Sequence, residues 1–173
     1  MAASRLPLGL LILPLITLLA ACAAPAPDPG RFEMRPVLEA GADLGIDCTA
    51  PTPTTSPETP VVACDRTNGE QFRLGPAAVD GAHVSSAEAV AAGPTWAVIV
   101  HLDDAGAESF RALTSELVGL PSTDGRNRLA LLIDGVFFSA PAVQAEITDG
   151  SPMISGSFTE QEARAIAARL AAG

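Results

Sequence analysis

The chain has 173 residues, 48% of them hydrophobic, which is enough to bury the core of one ordinary domain. Its formal net charge is −10, and all ten of its basic residues are Arg. This balance argues against nucleic acid as a partner, because phosphate binding needs clustered Lys and Arg. The acidic residues do not form runs, so they indicate a solvated anionic surface.

The N-terminal segment has the layout of a bacterial export signal. Arg5 precedes an uncharged apolar run, and small residues lead from this run into Cys22. Residues 19–22, Leu-Ala-Ala-Cys, resemble the lipobox of bacterial lipoproteins, in which the Cys is lipidated and begins the mature chain. We therefore expect a signal peptide at residues 1–21, and a chain anchored through lipidated Cys22 to the extracytoplasmic face of a bacterial cell membrane.

An uncleaved membrane helix is the alternative for this apolar run. Residues 6–24 carry no charge, and about 20 such residues span a bilayer. Pro7 and Pro14 disfavour a continuous helix there. Residues 22–30 are rich in Pro and Ala and predict an extended tether, followed by a folded domain at residues 31–173.

Two further cysteines, Cys48 and Cys64, remain once Cys22 is assigned to lipid. Outside the cytoplasm we expect this pair to form a disulfide, and closing a loop of about 15 residues contributes roughly 3 kcal/mol to stability. Free thiols or half of a metal site are the alternative, but no other Cys and neither His lies close by in sequence. The Pro/Thr-rich segment 49–60 between them predicts a solvated loop.

Alternating or β-branched residues predict strands at residues 32–38, 71–75 and 95–103. Pro36 is expected to place the first of these strands at a sheet edge or a bulge. Residues 82–93 predict a helix or helical turn that ends at the Gly-Pro step following Ala92.

Two amphipathic helices are predicted in the second half of the chain. The first begins at Asp103 or Asp104, either of which can cap it, and continues with apolar residues at helical spacing until Gly119. The second is the C-terminal helix, where Thr159 and Glu162 fit a capping box.

The stretch LLIDGVFFSAP contains the Asp134-Gly135 step between two apolar runs, which predicts a β-hairpin over residues 128–140 with a type I′ turn. The expected pairs are Ile133 with Val136, Leu132 with Phe137, and Leu131 with Phe138. This register collects one apolar core face, made of Leu129, Leu131, Ile133, Val136, Phe138 and Ala140.

The opposite face of this hairpin carries Leu132 and Phe137. Either a second layer covers that face, or the face is left as an exposed patch. If the face is exposed, Leu132 and Phe137 are the candidate binding surface. Together the elements predict an α+β domain, with a small mixed or antiparallel sheet and two helices on one side.

Several motifs of the second half resemble one known family. Residues 133–141 match a pattern LDGxxxSAP, residues 147–150 match ITGG with Asp149 in place of a Gly, and residues 156–173 match GxFTxxEAxxLAxxLRAG. These motifs and the segment from Phe72 onward resemble the head subdomain in the first periplasmic domain of SecD, the partner of SecF in bacterial protein export.

The resemblance implies a module that binds unfolded exported polypeptides or Sec translocon subunits. SecD and SecF move protons through acids in transmembrane helices, and the expected mature chain has no such helix, so we do not expect it to be that motor. An envelope lipoprotein that reuses the fold as a structural or interaction module, without a role in export, is the alternative.

An enzyme or metal protein is the least favoured class. The sequence contains no GxSxG, P-loop, GxGxxG, HExxH or CxxC motif. Its two histidines, His83 and His101, have no evident partner in sequence, although acids follow His101 and leave a metal or acid-base cluster open. Trp96 alternates with apolar residues on a strand and predicts a core position, with a partly exposed ligand platform as the alternative. We expect no catalytic residue, no cofactor and no metal.

Overall fold

The computed structural model describes residues 31–49 and 56–171. Two antiparallel sheets and two α-helices form an α+β fold, with strands β1 (Phe32–Gly41), β2 (Val61–Cys64), β3 (Gln71–Leu74), β4 (Val79–Asp80), β5 (Val84–Ala92), β6 (Thr95–Leu102), β7 (Leu129–Ile133), β8 (Val136–Ser139) and β9 (Met153–Phe158), and helices α1 (Asp104–Val118) and α2 (Glu160–Leu170). The predicted signal peptide, Cys22 and the tether lie outside the described residues.

The strands divide into a larger and a smaller sheet, where the sequence predicted one. The larger sheet has the order β2-β3-β1-β7-β8, with β4 also paired to β1, and the smaller sheet has the order β5-β6-β9. Every described pairing is antiparallel. Although β2 and β8 stand at opposite ends of the strand order, they come close together, so the larger sheet curls toward closure.

The central strand β1 pairs with β7 along one side, and with β4 and then β3 along the other. Pro36 lies where β1 changes partner from β4 to β3. Because Pro has no N–H, this gap between partners leaves no backbone donor unpaired. The predicted sheet edge is therefore wrong, whereas the predicted irregularity is present as a register shift between Val37 and Glu39.

A larger core joins the two sheets and both helices. Its buried side chains come from β1, β4, β6, β7 and β9, and from the inner faces of α1 and α2, and include Phe32, Met34, Val98, Val100, Phe110, Leu117, Leu131, Ile154, Ala163 and Leu170. A smaller core fills the inside of the curled sheet and includes Val37, Val61, Ala63, Phe72, Leu74, Ala130, Leu132 and Ala140. Both faces of the larger sheet therefore carry buried apolar side chains.

Both predicted helices are present with the predicted ends. The side chain of Asp103 accepts a hydrogen bond from the N–H of Gly106 and caps α1, which stops before Gly119. Thr159 and Glu162 form the capping box of α2. These ends were predictable because capping depends on residues within one helical turn.

The helix predicted at residues 82–93 is wrong, since residues 84–92 form strand β5. Ala87 and Ala89 lie opposite Val100 and Val98 of β6 and pack against the larger core, where α2 also contacts β5. Small inward side chains leave room for this helix. Pairing with β6 thus outweighs the helix propensity of the alanines.

The hairpin is confirmed, with one change of register. Ile133 pairs with Val136 and Leu132 with Phe137 as predicted, but a bulge makes Ser139 rather than Phe138 the partner of Leu131. Two members of the predicted core face are therefore placed wrongly: Ala140 packs in the smaller core, and Val136 is exposed. Phe138 still packs against the larger core.

Burial predicts very different costs for truncating two leucines of the larger sheet. Leu132 is 1% exposed, whereas Leu38 is 52% exposed. Leu132→Ala should lower the free energy of unfolding by about 2–5 kcal/mol, because it leaves a cavity in the smaller core. Leu38→Ala, the matched control, should lower it by less than about 1 kcal/mol. Urea unfolding followed by circular dichroism measures both, and equal losses would contradict the placement of the smaller core.

Candidate binding surface

Asp134 occupies the turn of the hairpin with φ 52°, followed by Gly135 with φ 73°, as a type I′ turn requires. Its backbone N–H donates to the carbonyl of Arg31 at 2.7 Å. Its carboxylate forms an ion pair with Arg169 in the last turn of α2. Asp134 therefore links the hairpin to the C-terminal helix and is a structural residue.

Leu132 and Phe137, the residues predicted as a candidate binding surface, face the smaller core. Leu132 is fully buried there, so its side chain is not available to a ligand in this structure. Phe137 is half-buried, and its ring stacks on Phe72 with 4.7 Å between centroids. The sequence left open whether a second layer covers this face. The structure contains that layer, and β2 and β3 of the same curled sheet supply it.

The predicted disulfide joins Cys48 to Cys64, the last residue of β2. It ties the segment after β1 to the strand that closes the smaller core. Part of the predicted loop 49–60 is described, and there Thr59 accepts a hydrogen bond from Arg35 through its carbonyl oxygen. The cysteines therefore have a structural role in this fold.

A buried ionic group on β1 was missed by the sequence analysis. Arg35 is 0% exposed and Glu33 2% exposed, and the Nε of Arg35 donates to Oε2 of Glu33 at 2.7 Å. Arg31 also pairs with Glu33. The Nη1 of Arg35 donates to the carbonyl oxygens of Thr59 and Gly75, both at 2.8 Å. Alternation of charged with apolar residues predicted only a strand here, and the burial of both side chains is what reveals the ion pair.

Each histidine has a carboxylate neighbour that the sequence did not indicate. His83 Nδ1 lies 3.2 Å from Oδ1 of Asp103. His101 Nε2 lies 3.3 Å from Oε1 of Glu88, and its Nδ1 lies 3.3 Å from Oγ of Ser151. Within residues 31–49 and 56–171, no group of three or more His, Cys, Asp or Glu side chains could hold a metal ion.

The Ser151–His101–Glu88 series has the residue types of a hydrolase triad but lacks its setting. The two side chains of the ion pair are 41% and 60% exposed, so water competes for every contact. The N–H of Ser151 donates to its neighbour Asp149 and is not free to stabilise an oxyanion. The arrangement is best described as a polar contact on the surface of the smaller sheet.

Trp96 is half-buried and packs against the larger core, as the sequence predicted. The guanidinium of Arg164 lies over its ring, 5.9 Å from the centroid. This contact joins the start of β6 to α2 and supports a structural role for Trp96.

The outer face of the smaller sheet is the surface that remains for a partner. One face of β5, β6 and β9 packs on the larger core, so alternate residues point the other way. We define this outer face by its exposed or half-buried central residues, which surround the fully buried Ala97: Glu88, Val90, Ile99, Met153 and Ser155. Met153 is 58% exposed and lies opposite the half-buried Ile99. The three strands contain no Arg or Lys.

Two helix-capping carboxylates have lowered pKa values. The N–H of Gly106 donates to Asp103, and this hydrogen bond, helped by His83, lowers the pKa of the Asp103 carboxyl. The backbone N–H and the hydroxyl of Thr159 donate to Glu162 and lower the pKa of its carboxyl. In both cases the charged form is stabilised by donors at a helix N-terminus.

Known bacterial proteins are similar to this chain in sequence. A family model described as SecDF, P1 head subdomain, matches residues 59–173. The chain is 37% identical over 125 residues to protein translocase subunit SecD of Streptomyces coelicolor, which covers 68% of this chain and 21% of that protein. It is 36% identical over 118 residues to SecD of Syntrophobacter fumaroxidans, covering 67% of this chain and 19% of that protein. The chain spans about a fifth of the length of these curated relatives.

Two solved structures have a similar fold. The crystal structure of SecDF in its super-membrane-facing form has a TM-score of 0.59 at 24% identity and covers 85% of this chain and 19% of that one. A structure of SecDF, described as a membrane component that enhances protein export, has a TM-score of 0.56 at 23% identity and covers 85% of this chain and 64% of that one. No helix among the described residues is long and apolar enough to cross a membrane.

The lowered pKa values predict a loss of stability in acid. A carboxyl whose pKa is lower in the folded chain stabilises the fold above its unfolded pKa, and this contribution disappears as the pH falls through the folded value. The melting temperature should therefore fall between about pH 5 and pH 3. The double variant Asp103→Asn, Glu162→Gln keeps polar capping side chains but cannot titrate there, so its melting temperature should fall less over this range. An identical fall, measured by calorimetry, would contradict the assigned role of the two caps.

Proposed function

Because the chain belongs to the SecDF P1 head subdomain family, we propose that it is a noncatalytic binding module of bacterial protein export. Its partners are exported polypeptides or subunits of the Sec translocon. The single observation that carries this proposal is the family match over residues 59–173, supported by curated relatives that are protein translocase subunits.

Attachment to the membrane surface through lipidated Cys22 is part of the proposal. It is supported by the lipobox-like residues 19–22 and the apolar run before them. The Cys48–Cys64 disulfide is consistent with an extracytoplasmic location, since such bonds persist in oxidising compartments. Residues 22–30 would then serve as a Pro-rich spacer between the membrane and the domain.

A noncatalytic role is supported by the setting of the ionisable groups. His83 and His101 contact carboxylates at the surface, where they are exposed to solvent. The strongly buried pair, Glu33 and Arg35, is occupied by hydrogen bonds within the fold. These placements suit structural roles better than proton transfer to a substrate.

Site-specific photo-crosslinking in living cells tests the proposed partners. A photoreactive amino acid replaces Val136 or Met153, which are exposed apolar residues on different sheets. We expect crosslinks to a secretory polypeptide or to a translocon subunit from at least one position. Crosslinks only to envelope proteins outside the export machinery would contradict the proposal and support an interaction module unrelated to export.

Two controls accompany this experiment. The same photoreactive residue at Val118, an exposed apolar residue of α1, tests for nonspecific capture and should give no crosslink to export proteins. Cys22→Ser removes the proposed lipid acceptor and should abolish labelling by a fatty-acid analogue, whereas Cys48→Ser should leave that labelling intact. Labelling that persists in Cys22→Ser would contradict the proposed anchor.

A further inference from the structure

β9 presents an open strand edge beside the outer face of the smaller sheet. Among the described residues β9 pairs with β6 alone, and its other side carries no strand. The carbonyl of Pro152 accepts a hydrogen bond from the N–H of Val100, so the peptide groups of Pro152 and Ile154 point toward β6. Alternation then directs the N–H and C=O groups of Met153 and Ser155 away from β6.

The N-terminal half of this edge lacks the usual protection against strand pairing. Natural edge strands carry Lys, Pro or inward charges, or are covered by another element, whereas β9 reads Met-Ile-Ser-Gly-Ser-Phe. A register shift between Trp96 and Ala97 distorts only its C-terminal part, where the ring of Phe158 lies against Gly156. The stretch from Met153 to Ser155 stays regular and paired residue by residue with β6.

The opposite edge of the same sheet, β5, is less suited to a partner. Its outward peptide groups belong to residues such as Ala89 and Ala91, whose small side chains face the larger core and α2. No large apolar side chain is exposed on β5. On β9, by contrast, Met153 and Ser155 have outward peptide groups and also carry their side chains on the outer face. Met153 is an exposed large apolar residue.

Charge around β9 selects the kind of segment that fits. The strands β5, β6 and β9 contain no Arg or Lys, and their one carboxylate, that of Glu88, lies beside His101. Asp149 precedes β9, and Glu160, which pairs with Arg164 at 2.6 Å, follows it. An added strand with apolar side chains would cover Met153 and Ile99, and basic residues at its ends would lie near these acids.

We propose that the open edge of β9 binds an extended segment of non-native polypeptide, apolar with flanking basic residues, by adding it as a fourth strand of the smaller sheet. The outward peptide groups of Met153 and Ser155 supply sequence-independent hydrogen bonds, and the outer face supplies apolar contact. This inference rests on the proposed function and specifies its polypeptide partner and its site.

The test measures binding of the blocked peptide Arg-Val-Thr-Val-Thr-Val-Arg to the full chain by ¹H–¹⁵N NMR titration. We expect the largest shift changes at Met153–Phe158, and slowed hydrogen exchange at the N–H groups of Met153 and Ser155. The same peptide N-methylated at alternate residues keeps its side chains but loses the donors of one edge, so its affinity should fall at least about tenfold.

Two matched Pro variants locate the site. Ser155→Pro replaces an outward N–H without removing a hydrogen bond to β6, so the strand should persist while peptide affinity falls at least about tenfold. Ala91→Pro makes the equivalent change on the open edge of β5 and should bind as the parent does. Unchanged melting temperatures would establish that both variants fold. If Ser155→Pro does not fold, Met153→Arg provides the same test, because its positive charge repels the basic ends of the peptide.

Several outcomes would overturn the proposal. Peptide binding that maps to Phe137 and is unaffected by Ser155→Pro would place the site elsewhere while leaving the proposed function intact. The absence of binding by any unfolded polypeptide, together with absent in vivo crosslinks to export proteins, would overturn both. A concentration-dependent dimer abolished by Ser155→Pro would assign the edge to a second copy of this chain.

Discussion

Glu33 and Arg35 form the most deeply buried ion pair among the described residues, and Arg35 ties the central strand to the segments beside it. Both lie on the central strand β1, on the face opposite Phe32 and Met34. Removing two charges from water costs several kcal/mol per ion, and an ion pair offsets this only with good geometry and further hydrogen bonds. Arg35 makes such hydrogen bonds through its Nε and Nη1, to Glu33 and two backbone carbonyls, while its Nη2 is buried without a hydrogen-bond partner among the described residues.

The position of these carbonyls connects the ion pair to the surface available for binding. Thr59 precedes β2 and Gly75 follows β3, so Arg35 holds the open end of the β2–β3 ribbon against β1. The ribbon in turn supplies Val61, Ala63 and Phe72 to the smaller core, which buries Leu132 and half of Phe137. With that face of the hairpin covered, the outer face of the smaller sheet and the edge of β9 remain exposed.

Features determined by neighbouring residues were predictable from the sequence. The Asp134-Gly135 turn, the Asp103 cap and the Thr159–Glu162 capping box depend on residues within a turn of one another. Features set by distant pairing were not. β5 is a strand because β6 and α2 pack against it, and the bulge opposite Leu131 depends on how β8 meets the smaller core. Whether Leu132 is covered was left open by the sequence for the same reason, since β2 and β3 reach it from another part of the chain.

A double-mutant cycle on Glu33→Met and Arg35→Met tests most directly whether the ion pair secures the ribbon over the smaller core. Each single variant should lose about 3–5 kcal/mol of unfolding free energy, because Glu33→Met leaves Arg35 without its carboxylate and Arg35→Met leaves Glu33 with Arg31 alone. The double variant should lose less than the sum by at least about 2 kcal/mol. Losses that add to within about 0.5 kcal/mol would contradict this account, since they would show that the two side chains act independently.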